Sequence, residues 1–160
     1  MDYIEFFTEA INEYRIQNNL NISQFAERLG VSEQCVSNWL TRHNGPSLEL
    51  LISVANLLNC SLDYLVGRSQ SPEYVPADNG FIFNERLSLL LKNNNLSAFK
   101  LAKACGFGDS IFAKWKKGKI PNITTLLSIS EYLDMGGLRD FFRFPVIPDQ
   151  PLVWLLIGCK

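Results

Sequence analysis

The apolar residues between positions 20 and 40 recur at helical spacing, which predicts two consecutive helices with one buried face each. Those apolar positions are Phe25, Ala26, Leu29, Val36, Trp39 and Leu40. Asn21 and Gln24 have the spacing of a capping box at the start of the first helix, and Gly30 is suited to end it. Ser32 is expected to cap the second helix. The stretch therefore predicts a helix, a tight turn and a second helix, which cross closely at the small Ala26.

The same pattern returns 76 residues further along the chain, in register. The matched pairs are Ala26 and Ala102, Gly30 and Gly106, Trp39 and Trp115, and the predicted caps Asn21 and Ser97. In each copy a proline follows, Pro46 or Pro121, and another helix with apolar spacing begins after it. A repeat that preserves the cap, the small residue, the glycine and the tryptophan together predicts two copies of one structural unit.

The repeat and the distribution of proline and glycine divide the chain into four parts. Residues 1–67 form the first predicted unit, domain 1, and residues 81–142 form the second, domain 2. Residues 68–80 are expected to link them, and residues 143–160 form a tail without a counterpart in domain 1. Every element predicted in the domains is a helix, so the fold class is all-α, and the two copies diverge from Met135 onwards.

The tail contains the apolar run 153–157 behind three prolines. An exposed apolar segment of this kind needs cover. One interpretation is that the tail packs under its own domain, and another is that it serves as a dimerisation element. A disordered or altered terminus is the third, and the sequence leaves all three open.

The bulk composition favours a soluble globular protein of the cytoplasm. Hydrophobic residues make up 47% of the 160 positions, which suits two small folded domains and argues against general disorder. Asp2, Glu5 and Glu9 interrupt the first apolar residues, so no signal peptide is predicted. The longest apolar run, 151–157, is far too short to cross a bilayer, so no membrane partner is expected.

The cysteines and the scarcity of histidine argue against metal, cofactor and enzyme chemistry. Cys35, Cys60, Cys105 and Cys159 have no C-x-x-C spacing and no histidine at ligand spacing, so neither a metal nor a cofactor is predicted. Cys35 and Cys105 replace apolar residues of the other copy, and we expect both to be buried, reduced thiols. The chain has one histidine and no glycine-rich phosphate loop, so an enzyme is not expected.

The charge is distributed unevenly, although the net charge is only −1. Residues 1–70 carry eight acidic and four basic side chains, whereas residues 71–160 carry eight acidic and eleven basic ones. The basic residues between positions 84 and 120 are Arg86, Lys92, Lys100, Lys103, Lys114, Lys116, Lys117 and Lys119. This concentration around the second helix-turn-helix indicates a surface suited to phosphates. The alternative is an ordinary solvated helical surface.

Taken together, the repeat and its spacing resemble the phage-repressor and Cro-like helix-turn-helix family, also called XRE-type regulators. The resemblance is carried by FAERLGVSEQCVSNW and PSLELLISVANLLNCSLDYLVG in the first copy, and by LAKACGFGDSIFAKWKKGKIPNITTLLSISEYLD in the second. It implies two tandem lambda-repressor-like five-helix domains, each with its third helix in the DNA major groove.

The resemblance also implies which side chains read bases. In domain 1 they are Glu33, Gln34, Ser37 and Asn38, and the matching positions in domain 2 are Asp109, Ser110, Ala113 and Lys114. Gln34 and Asn38 are suited to adenine, Glu33 to the amino group of cytosine, and Lys114 to guanine. For each residue alone, an ordinary exposed helix position is the alternative interpretation.

Two departures from the family pattern move the expected phosphate contacts. Ile22 and Ala98 stand where the family often has a phosphate-binding glutamine, and Gly108 stands where domain 1 has its Ser32 cap. The remaining phosphate candidates are Arg42, His43 and Asn44 in domain 1, and Lys100, Lys116, Lys117 and Lys119 in domain 2. His43 by itself is better explained as a solvated loop residue. Such contacts add affinity without sequence information.

Two functions follow as hypotheses. The first is a sequence-specific, repressor-like regulator that binds double-stranded DNA through tandem helix-turn-helix domains. The second is a protein-interaction module, antitoxin-like or an anti-repressor partner, that keeps the fold without reading DNA. A homodimer, and a protein partner bound through domain 1 or the tail, are the further partners that the sequence leaves open.

Overall fold

The computed structural model describes residues 2–73, 83–108, 110–135, 137–138 and 141. Within these ranges all regular structure is helical, which confirms the all-α fold class. The helices are α1 (Tyr3–Gln17), α2 (Ile22–Leu29), α3 (Glu33–Leu40), α4 (Leu48–Leu58), α5 (Leu62–Leu65), α6 (Phe83–Asn93), α7 (Ala98–Cys105), α8 (Ile111–Lys116) and α9 (Ile123–Tyr132). Most of the predicted linker, the base-reading candidate Asp109 and the whole tail at 143–160 lie outside the described residues.

The predicted helix caps are confirmed. The Asn21 side chain accepts a hydrogen bond from the Gln24 backbone at 2.8 Å, and the Gln24 side chain accepts one from the Asn21 backbone at 3.0 Å. Gly30 ends α2 with φ of 68°, in the left-handed region where glycine carries no steric penalty. Ser32 caps α3, and Ser97 caps α7. The Gly30 C-cap of α2 and the Ser32 N-cap of α3 fix the two ends of the turn between these helices.

A pair of perpendicular aromatic rings lies at the centre of each domain. In domain 1 the rings of Phe7 and Trp39 are 5.5 Å apart at 71°, and both side chains are buried. In domain 2 the rings of Phe83 and Trp115, each 76 residues further on, are 5.1 Å apart at 80°. The hydroxyl of Thr8 also donates to the Trp39 carbonyl at 3.2 Å. Helices α3 and α8 are thus anchored through their tryptophans to α1 and α6.

The fourth helices of the two domains differ in polarity at one buried position. Aligned from their caps Ser47 and Asn122, helices α4 and α9 place Ala55 opposite Ser130. Both residues are buried, and the Ser130 hydroxyl has no hydrogen-bond partner among the described residues. A buried hydroxyl without a partner has lost its hydration and gained nothing in return.

We therefore expect Ser130→Ala to raise the free energy of unfolding of domain 2 by about 1 kcal/mol, because it removes the desolvated hydroxyl. The measurement is the urea midpoint of the variant against that of the parent protein. Ser128→Ala is the matched control, since the half-buried Ser128 hydroxyl donates to the Thr124 carbonyl at 3.1 Å. A destabilised Ser130→Ala variant would show that the hydroxyl is bonded in solution.

Candidate nucleic-acid interface

Helix α3 of domain 1 has one buried face and one accessible face. Val36 and Trp39 are buried, whereas Glu33 and Gln34 are exposed and Ser37 and Asn38 are half-buried. The four predicted base-reading residues thus lie together on the side of α3 that faces away from the core. Nothing in domain 1 itself occupies the space that a major groove would fill over Glu33 and Gln34, as their exposure shows.

Two of these side chains are already bonded to each other. The amide nitrogen of Gln34 donates to the amide oxygen of Asn38 at 2.9 Å, one helical turn away. This leaves the Gln34 oxygen as an acceptor and the Asn38 nitrogen as a donor. A donor and an acceptor side by side match the pattern that adenine presents in the major groove.

The loop after α3 carries the phosphate candidates of domain 1. Arg42, His43 and Asn44 are all exposed, and the backbone nitrogen of His43 donates to the Asn38 carbonyl at 2.9 Å. Arg42 has φ of 57°, in the left-handed region, and its guanidinium lies 3.3 Å from the Glu5 carboxylate of α1. An exposed ion pair of this kind contributes about 0–1 kcal/mol to stability. Glu5 therefore competes weakly for the positive charge that would contact phosphate.

Glu5→Gln is expected to tighten DNA binding roughly threefold at low salt, because Arg42 becomes available and a negative charge leaves the surface. Fluorescence anisotropy with a labelled duplex measures the change. Glu9→Gln is the control, since Glu9 is exposed on the same helix and forms no ion pair with a described residue. Equal effects of the two variants would leave only the general change in charge and would exclude a specific role for Arg42.

Helix α8 of domain 2 is shorter than α3 and begins two residues later in the repeat. Ser110, which matches Gln34, precedes the helix at its N-cap position and makes no side-chain capping bond. The Ile111 backbone nitrogen instead donates to the Gly108 carbonyl at 3.1 Å. Ala113 and Lys114 are exposed, while Trp115 is buried. Ser110 therefore lies just before the first residue of α8, and Lys114 is the one charged side chain among the described base-reading candidates of domain 2.

Domain 2 presents a lysine surface, defined by Lys100, Lys114, Lys116, Lys117 and Lys119. All five side chains are exposed, and none forms an ion pair with another described residue. The backbone turns back over the end of α8 at Gly118, where φ is 85°, and the Lys119 nitrogen donates to the Lys114 carbonyl at 3.1 Å. This turn keeps Lys117 and Lys119 close to Lys116 at the end of α8. If α8 lies in the DNA major groove, phosphates would border that groove at these three lysines.

Two features of the interface are absent from the sequence-based prediction. Glu5 lies far from α3 in the chain, and only folding brings it to Arg42. Phe99 is 74% exposed on α7, beside the lysine surface, where domain 1 has the exposed Ser23. The substitution of an aromatic residue for a serine in the repeat was the available signal for Phe99.

The described residues contain no cluster that could hold a metal ion. Burial raises the pKa of the Cys60 thiol to about 11, which keeps it protonated and unreactive at neutral pH. Cys35 and Cys105 were expected to be buried, but they are half-buried at the edge of the core. Cys159 lies outside the described residues. Within the described ranges, every helix is too short or too polar to cross a lipid bilayer.

Comparison with known proteins identifies both halves of the chain. Residues 11–65 match the family described as helix-turn-helix, and residues 86–146 match the Cro/C1-type HTH DNA-binding domain. A curated relative is the uncharacterized HTH-type transcriptional regulator YobD of Bacillus subtilis (strain 168), 24% identical over 67 residues. That similarity covers 42% of this chain and 60% of the relative. No solved structure matches the chain significantly.

Proposed function

We propose that this chain, whose first half matches a helix-turn-helix family and whose second half matches the Cro/C1-type DNA-binding domain, regulates transcription by binding specific DNA sequences through both domains. The name of the curated relative, an HTH-type transcriptional regulator, supports regulation as the role. The proposal includes a repressor-like mode, in which the bound protein excludes other proteins from its site. It also includes a cytoplasmic location and the division into residues 1–67, 68–80, 81–142 and 143–160.

One observation carries this proposal. In both domains the recognition helix is anchored by a buried tryptophan and presents its opposite face to solvent. Trp39 holds α3 against Phe7, and Trp115 holds α8 against Phe83. An exposed polar helix face held rigidly by its buried side is the arrangement that a major groove accepts.

We assign sequence reading mainly to domain 1. Its accessible face carries Gln34 and Asn38 as a bonded amide pair, Glu33 as an acceptor for cytosine and Ser37 as a short polar contact. Amides and carboxylates discriminate between base edges, and they add little attraction to the phosphate backbone. The acidic balance of the first 70 residues fits this division, since it weakens non-specific binding.

We assign most of the affinity to domain 2. Its lysine surface places five exposed positive charges around α7, α8 and the turn after α8. Each lysine that neutralises a phosphate releases counterions, which strengthens binding to any sequence. Lys114 on the accessible face of α8 is the candidate for a base contact with guanine, and Asp109 and Ser110 remain proposals at the start of that helix.

Selection from a randomised duplex pool tests the proposal. The protein is incubated with the pool at about 0.15 M salt, and the retained duplexes are sequenced. Two enriched half-sites about one helical turn apart are the expected result. Gln34→Ala with Asn38→Ala should erase the motif of one half-site and leave the other. Retention without enrichment would contradict sequence reading, and the absence of retention would contradict DNA binding altogether.

A second candidate function is a protein-interaction module that keeps the fold without reading DNA. Two observations favour it: the exposed aromatic ring of Phe99, and the pairing of Arg42 with Glu5 at the edge of α3. A partner protein that co-purifies with the chain, together with no DNA retention at about 0.1 M salt, would establish this function in place of the regulator. Phe99→Ser, which restores the residue of domain 1, should then release the partner.

A further inference from the structure

A buried carboxylate joins the two domains. Asp63 lies in α5 of domain 1 and is only 6% exposed. Its carboxylate accepts a hydrogen bond of 2.7 Å from the backbone nitrogen of Leu138, which lies beyond α9 in domain 2. Burying a carboxylate is costly unless it is bonded, and a bond from a backbone nitrogen to a charged oxygen is a strong one. This contact is therefore a specific feature of the fold.

The close approach of the Gly137 segment to α5 depends on a glycine. A Cβ atom added to Gly137 would lie 2.5 Å from one Asp63 carboxylate oxygen, 2.9 Å from the other and 2.8 Å from the carboxylate carbon. Any other residue at position 137 would push the carboxylate away from the Leu138 nitrogen. Gly137 and Asp63 are thus fitted to one another across the domain boundary.

The contact supplies something that domain 2 lacks. In domain 1, Ser61 caps α5, and Leu62 and Leu65 are buried behind it. In domain 2, Leu138 and Phe141 are buried with the same spacing 76 residues further on, and the position of the Ser61 cap is taken by Gly137. Glycine has no side chain that could accept a hydrogen bond at this turn. Asp63 of domain 1 bonds the Leu138 nitrogen, which matches Leu62, whereas Ser61 bonds the Tyr64 nitrogen two residues further on.

The turn that Asp63 holds leads directly to a recognition helix. The Phe141 nitrogen donates to the Leu138 carbonyl at 3.0 Å, and the Phe141 ring stacks on Phe83 at 6.0 Å. Phe83 in turn packs edge-on against Trp115 of α8 at 5.1 Å. A continuous series of packed groups therefore connects the end of domain 1 to the helix that carries Lys114.

Asp63 is also anchored on its own side. Its carbonyl accepts hydrogen bonds from the backbone nitrogens of Arg68 at 2.8 Å and Ser69 at 3.2 Å, where the predicted linker begins. The Arg68 side chain lies 3.8 Å from the carboxylate. These bonds fold the start of the linker back onto Asp63, which is itself held in domain 1 as a buried residue of α5.

We propose that Asp63 is a positioning residue that fixes the orientation of domain 2 relative to domain 1 by capping the turn at Leu138 from across the boundary. The consequence of this contact for DNA binding rests on the proposed function. Because α3 and α8 are held at one relative orientation, the chain accepts one separation between its two DNA half-sites. A chain with two freely jointed domains would accept many separations with similar affinity.

The first test uses the full chain without DNA, so it stands apart from the proposed function. Backbone ¹⁵N relaxation gives a rotational correlation time for each domain. The parent protein should show one common value, and Asp63→Ala should show two shorter, unequal values while both domains keep their dispersed amide signals. Asp63→Asn keeps an acceptor oxygen and should retain common tumbling, and Gly137→Ala should behave like Asp63→Ala. Common tumbling in Asp63→Ala would overturn the proposal.

The second test measures binding to duplexes in which the selected half-sites are separated by about 8 to 14 base pairs. The parent protein should prefer one separation by tenfold or more, and Asp63→Ala should bind all separations within about threefold of each other. Glu13→Ala, which removes an exposed acidic residue of α1, is the control and should keep the preference. An unchanged preference in an Asp63→Ala chain that tumbles as two bodies would overturn the role in spacing.

Discussion

Trp39→Ala is expected to destabilise domain 1 by about 3–5 kcal/mol. The indole is the largest fully buried side chain of the described residues and meets the ring of Phe7 at 5.5 Å. Its removal leaves a cavity under α3 and takes away the aromatic contact as well. A domain of this size has a total stability of roughly 5 kcal/mol or somewhat more, so the substitution should remove most of the stability of domain 1.

Urea unfolding followed by the amide signals of each domain measures this effect separately for domain 1 and domain 2. Leu40→Ala is the control on the same helix, because Leu40 is only half-buried and should cost much less. Trp115→Ala should instead cause a similar large loss of stability in domain 2 and leave domain 1 unaffected. A loss below about 1 kcal/mol in Trp39→Ala would mean that the indole does not anchor α3.

The second large effect concerns the lysine surface. The slope of log affinity against log salt concentration is negative. Lys116→Ala combined with Lys117→Ala should make it less steep by about two, because two phosphate contacts are lost. At about 0.15 M salt, this corresponds to a loss of affinity on the order of 30-fold. The loss should be the same for a selected duplex and a random one, since phosphate contacts carry no sequence information.

The salt dependence of binding to both duplexes, from about 0.05 to 0.3 M, provides the measurement. Lys92→Ala serves as the control, because Lys92 is exposed at the end of α6, outside the lysine surface. Its slope should stay close to that of the parent protein. An unchanged slope in the double variant would remove Lys116 and Lys117 from the interface, and a loss confined to the selected duplex would make them base contacts instead.

The helices and their ends were predictable from the sequence because the interactions that define them are local. The Asn21 capping box spans three residues, and Gly30 ends α2 for a reason that depends on its own backbone angle. The buried positions of Trp39 and Trp115 follow from helical spacing. The repeat confirmed each assignment a second time, and the resemblance to Cro-like regulators is confirmed by the family matches of both halves.

The contacts between distant parts of the chain were not predictable in the same way. Arg42 meets Glu5 over a separation of 37 residues, and Asp63 meets Leu138 over a separation of 75. Neither pair is marked by a spacing rule, because both depend on how the elements pack. The late start of α8 was missed for a local reason: Gly108 lacks the side-chain acceptor that Ser32 provides, so the first turn closes differently. Roles at the DNA remain predictions for every candidate residue.

The glycine at position 137 also bears on whether the two copies of the domain are structurally independent. Two identical copies of a domain that make no specific contact do not depend on each other structurally. Either copy can then be deleted or moved without an effect on the fold of the other. Here the second copy has glycine where the first has its Ser61 cap, and an acid of the first copy bonds the backbone nitrogen after that glycine. Deletion of the first domain would therefore remove the acceptor of the Leu138 nitrogen, so the two copies are no longer structurally independent.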